Sequence, residues 1–122
     1  DILLKRIFMF KILMTFSLMI FAFANDYNTA IDFYKAKEYK KAVKYFKKAA
    51  NNGDLESAYV MGYLYTGGIG VERDLKKSLY WYQKAAKGGH INAQINLGFM
   101  YIAGHGTKVD YKKASFWIGK AK

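Results

Sequence analysis

The sequence predicts an all-α protein: a stack of three antiparallel helix pairs behind an apolar leader. Three observations carry that expectation. A block of 36 residues recurs without a gap, the apolar residues inside each block fall at helical spacing, and the amino terminus has the three-part layout of an export signal.

The leader comes first. In "DILLKRIFMFKILMTFSLMIFAFAND", Lys5, Arg6 and Lys11 precede an apolar run over residues 12–23, and small Ala22 and Ala24 straddle Phe23 ahead of Asn25 and Asp26. A basic head, an apolar middle and an A-x-A end are the parts of a secretory signal peptide. The expectation is therefore a signal peptide over 1–24, cleaved after Ala24, with a repeat domain over 25–122 delivered to the periplasm or outside the cell. An uncleaved anchor is the other reading, because residues 7–24 are interrupted only by Lys11 and approach the length that spans a bilayer.

At 122 residues and 52% hydrophobic content, the chain holds material for one packed domain. Its formal charge is +11. Loss of residues 1–24 would leave 17 basic against 8 acidic residues, or +9. There is no cysteine, so an exported domain of this size must hold itself together by packing alone. Export would also separate the basic surface from nucleic acid.

Lys40, Lys76 and Lys112 head three segments in register: "KKAVKYFKKAANNGDLESAYVMGYLYTGGIGVERDL", "KKSLYWYQKAAKGGHINAQINLGFMYIAGHGTKVDY" and "KKASFWIGKAK". This sets repeat 1 at about 26–53, repeat 2 at about 54–89 and repeat 3 at about 90–122. Leu75, Leu79, Tyr82, Ala85 and Ala86 line one helical face. Asp74 and Asp110 stand where a carboxylate caps an orphan backbone N–H and meets the positive end of the helix dipole. Gly53, Gly88 and Gly89 follow the last apolar residues, as left-handed terminators would. A partner helix is expected over 55–65 and again over 91–101. Met61, Leu64, Tyr65, Trp81, Ala85, Leu97 and Tyr101 are the expected core, with Gly62 and Gly98 letting two helices approach.

"GGIGVERDLKKS" looks like a phosphate-cradling loop, but it lacks the spacing of a P-loop and follows a helix instead of a strand. Glu72 and Asp74 would also repel a phosphate. Its recurrence as "AGHGTKVDYKKA" marks Gly68, Gly70, Gly104 and Gly106 as backbone positions that fold a longer loop back. His90 and His105 fall in loops without a second ligand at metal spacing, and Ser57, Ser78 and Ser115 have no base in a nucleophile setting. No catalytic residue, metal or cofactor is expected.

The stretches "MGYLYTGGIGVERDLKKSLYWYQKAAKGGH" and "LGFMYIAGHGTKVDYKKASFWIGKAK" resemble the Sel-one-like repeat, a relative of the tetratricopeptide repeat with an extended loop between its helices. Ser78 and Thr107 depart from the pattern. Residues 29–52, with their short loop, look like an ordinary tetratricopeptide-like capping unit, as terminal solenoid repeats often are. The resemblance implies a right-handed α-solenoid that binds other proteins. By the same resemblance the first helix of each pair lines a concave groove, presenting Tyr27, Ile31 and Tyr34, then Glu56, Tyr59, Tyr63 and Thr66, then Asn92, Ile95, Phe99 and Ile102. Such an aromatic strip suits an extended peptide or a partner helix.

Lysines 40, 41, 44, 47 and 48, then 76, 77, 84 and 87, then 112, 113 and 120 would form a convex stripe. It reads as a solvated face, or as an attraction for an acidic protein or an anionic envelope surface. The expectation is an exported monomeric scaffold for a protein or peptide, an acidic one included, without nucleic acid, touching membrane only through an uncleaved leader. The alternative is an envelope enzyme acting on β-lactams, implied by family analogy alone and weakened by the missing cysteine pairs of such members.

Overall fold

A computed structural model describes the chain from Asp1 to Lys122, apart from the side chains of Phe23 and Ala24. It contains helices α1 (Ile2–Lys35), α2 (Tyr39–Asn51), α3 (Leu55–Gly67), α4 (Leu75–Lys87), α5 (Ile91–Ala103) and α6 (Tyr111–Lys120), and no strand among the described residues. Each helix packs on the next in sequence, from α1 on α2 through α5 on α6. That nearest-neighbour pattern is the signature of a solenoid. The odd-numbered helices are A helices and the even-numbered ones B helices.

Helix α1 serves two regions. Residues 2–22 are exposed and apolar, whereas the last turns enter the stack, with Ala30 fully buried and Tyr27 set edge-on to Phe46 at 5.9 Å. The sequence divides leader from repeat, but the backbone helix runs through both. The expected cleavage point after Ala24 falls on Phe23 and Ala24, outside the described side chains.

Caps fix where the helices begin. Carboxylates of Asp54, Asp74 and Asp110 accept from the backbone N–H three residues on, at 2.9, 3.0 and 3.0 Å. Helices α3 and α5 end on Gly68 and Gly104, both left-handed. Beyond them Gly70 and Gly106, at φ +71° and +70°, seat each long loop on the first turn of the preceding repeat's B helix. A Cβ on Gly70 would stand 2.6 Å from the Tyr39 carbonyl oxygen, and one on Gly106 would strike the Leu75 carbonyl. The glycine loops therefore also glue one repeat to the one before.

One glycine differs from expectation. Gly53 and Gly89 have positive φ, +99° and +100°, but Gly88 is right-handed at −77°. Its lack of a side chain instead makes room for the Leu55 isobutyl group.

The core is the seam between A and B helices. Phe46, Met61, Leu64 and Leu97 are fully buried, and Tyr65, Trp81, Ala85 and Tyr101 join them as the sequence predicts. Gly62 lets the Tyr82 ring lie on the α3 backbone, where a Cβ would come within 2.7 Å of it, and Gly98 does the same for Ile118. Ser78, fully buried, donates to the Gly62 carbonyl at 2.8 Å and meets the Thr66 hydroxyl at 2.6 Å. The small residue expected there is also a polar staple between α3 and α4.

Candidate partner-binding groove

Helical periodicity splits each A helix into an inner and an outer face. On α3 the inner face is Ser57, Ala58, Met61, Gly62, Leu64 and Tyr65, all buried, which leaves Glu56, Tyr59, Tyr63 and Thr66 outward. On α5, Ala93, Gln94, Leu97, Gly98, Met100 and Tyr101 turn in, leaving Asn92, Ile95, Phe99 and Ile102 outward. All ten positions expected to meet a partner keep solvent-accessible surface: Tyr27, Tyr34, Tyr59 and Ile95 are half-buried, and the other six are exposed.

These residues gather into two clusters and a row. Tyr34 and Tyr63, with Ile31, Val60 and Phe46, line an apolar crevice of about 190 Å³ between α1 and α3. The second cluster joins α3 to the start of α5. Glu56 of α3 meets His90 at 2.8 Å, Tyr59 stacks on the His90 ring with centroids 4.6 Å apart, and His90 caps α5 by accepting from the Ala93 N–H at 3.2 Å. Tyr27 of α1 stands close enough that burial first, and then the charges of Glu56 and Asp54, push its phenol above the ordinary range. Asn92, Ile95 and Phe99 follow as a row along α5.

Thr66 and Ile102 lean elsewhere. The Thr66 hydroxyl is spent on the Gly62 carbonyl at 2.9 Å and on Ser78, so the residue offers little polar surface. Ile102 lines a separate hollow of about 370 Å³ with Tyr111, Ala114, Ser115, Ile118, Gly119 and Lys122, at the end of the stack.

Beneath the strip lies Tyr82, whose phenol is also raised, chiefly by burial, with hydrogen bonds to Thr66 and Asn96 opposing the rise. Sequence reasoning left His90 in a loop. Its usable signal was the register: 36 residues earlier stands Asp54, itself a cap, so the imidazole takes over a carboxylate's duty.

The B helices have opposite chemistry. Across α2, α4 and α6 there are twelve lysines and no acid. Several ammonium groups lie over rings of the stack, including Lys77 over Tyr65 at 5.6 Å and Lys113 over Tyr101 at 5.5 Å. Among the described residues no group of three or more His, Cys, Asp or Glu could hold a metal ion.

The Sel1 repeat family model matches residues 33–54, 55–90 and 91–122, three successive units. A solved Sel1 repeat protein from Oxalobacter formigenes is similar over 78% of this chain and 39% of its own, with 36% identity and a TM-score of 0.72. A protective antigen of uropathogenic Escherichia coli with an SLR fold is similar over 81% of this chain and 22% of its own, at 28% identity and TM-score 0.80. Cysteine rich protein B of Helicobacter pylori is similar over 66% of this chain and 61% of its own, at 28% identity and TM-score 0.64. This chain thus spans under two thirds of the length of each of these structures. The search of curated proteins gave no match. The all-α solenoid of three helix pairs and the three matched units place this chain in the Sel1 repeat family.

Proposed function

We propose that the chain is an exported scaffold that binds a protein or peptide along the concave, A-helix side of its solenoid. Sel1 repeat proteins generally serve as protein–protein interaction scaffolds, and the finer reading rests on one observation. The outward residues of α1, α3 and α5 include six aromatic or aliphatic side chains, Tyr27, Tyr34, Tyr59, Tyr63, Ile95 and Phe99, on a surface that a lone solenoid would gain by making polar. The crevice beside Tyr34 and Tyr63 offers a pocket for an anchoring side chain. Export is supported by the basic head and apolar stretch at the amino terminus, where α1 is long and apolar enough to cross a membrane near its start.

Affinity capture with the wild-type chain and with Tyr59→Ala/Tyr63→Ala tests the binding role. The reading expects the partner to be lost from the double variant while circular dichroism keeps its helical signal. Equal recovery of the same partner by both proteins would count against the groove.

A further inference from the structure

The chain's nine acids can be followed one by one. Asp1, Asp54, Asp74 and Asp110 cap helices. Asp26 pairs with Lys48 at 3.1 Å, and Glu38 pairs with Lys41. Glu72 shares a loop hollow with Arg73 and Lys77, and Asp32 stands exposed on α1 outside the residues that line the apolar crevice. Glu56 remains. It is the sole acid of α3 beyond the cap, α5 has none, and it lies among the groove aromatics.

Among the described residues its one polar contact is a histidine that does not neutralise it. Because Nδ1 of His90 accepts the Ala93 N–H, the ring proton resides on Nε2, which donates to Glu56 Oε2. Among the described residues no hydrogen bond engages Oε1, and the side chain is half exposed at 50%. The carboxylate is also held still. His90 is fixed by its cap bond and by stacking on Tyr59, so Glu56 is oriented by a ring that cannot turn without uncapping α5.

We propose that Glu56, held by His90 beside Tyr59, is a subsite for a cationic side chain, a guanidinium or alkylammonium, of the peptide that the groove takes. This rests on the groove reading given above. An oriented, half-exposed carboxylate supplies what a cationic side chain needs, a charge-assisted hydrogen bond. The lysine-rich B helices repel the same cation, which favours the A-helix side.

The test uses two defined probes, acetyl-Phe-Ala-Arg-Phe-amide and its citrulline counterpart, which keeps the shape and loses the charge. Both are titrated into the full chain in detergent micelles at low salt. The arginine peptide should bind about three- to fivefold more tightly, the range of a partly exposed ion pair. Glu56→Gln, which still accepts from His90, should erase that preference and leave citrulline-peptide affinity unchanged. Equal affinities in the wild type, or a preference that survives Glu56→Gln, overturns the subsite. Tyr63→Ala separates this from the groove itself. If both peptides bind equally and both are lost in Tyr63→Ala, the groove stands and the cation subsite falls. If neither binds, or binding ignores Tyr63→Ala, both readings fall.

Discussion

Tyr63 on α3 and Tyr80 on α4 are almost equally exposed, at 50% and 54%, and their counterparts one repeat on, Phe99 and Phe116, are both at 58%. Exposure alone does not tell these pairs apart. Tyr63 borders an apolar crevice with Ile31, Tyr34, Phe46 and Val60. Tyr80 sits edge-on to Trp81 at 5.1 Å, on a helix that carries four lysines and no acid. One ring borders an apolar crevice, and the other lies on a lysine-rich helix. Two outward aromatic rows thus have different meanings because the side chains around them differ.

The seam between the two rows sets the largest expected effects. Leu97→Ala removes a fully buried side chain and should cost about 2–5 kcal/mol in urea unfolding, enough to erase most of the stability of a small domain. Gly62→Ala gains helix propensity but forces the buried Tyr82 ring off α3, for a net loss of about 1–3 kcal/mol. A gain in stability from that substitution would mean that the A–B seam is looser than described.

Smaller effects sharpen the comparison. Asp110→Ala removes the cap of α6 and should cost about 1 kcal/mol, read as a lowered thermal midpoint. Alkaline titration probes the layer under the groove. The Tyr82 phenol is raised in the folded state, so its contribution is fully present below the ordinary tyrosine value of about 10 and is lost as pH rises through the folded value. Thermal midpoints should fall over that alkaline window, and less steeply in Tyr82→Phe. Lys37, at φ +60° in the short α1–α2 turn, gives the smallest change: Lys37→Gly should stabilise by about 0.5–1 kcal/mol through relief of left-handed strain.

Much of this was legible in the sequence because a repeat states each position more than once. Asp74 and Asp110 advertise their caps by recurring at 36 residues, and Gly70 and Gly106 announce a shared backbone geometry in the same way. What recurrence hides is substitution of one chemistry by another at a fixed position. His90 replaces Asp54 as a cap, and Ser78 turns a small-residue slot into a hydrogen-bonded staple to Gly62 and Thr66. Thr66 and Ile102 matched each other in register, yet the hydroxyl of one is spent toward its own B helix and the other lines the terminal hollow. Gly88 misled for a related reason: two adjacent glycines looked alike, and only Gly89 needs a left-handed backbone. The leader and the first repeat differ in composition, but helix formation does not register that boundary, and α1 crosses it.

Replacement of single residues with a photo-crosslinking phenylalanine analogue compares the two faces directly in the cells that make the protein. The account predicts a discrete crosslinked partner from position 63 and none from position 80, since both side chains are equally open and only the first adjoins the crevice. A partner captured from position 80 alone, or equally from both, would contradict it.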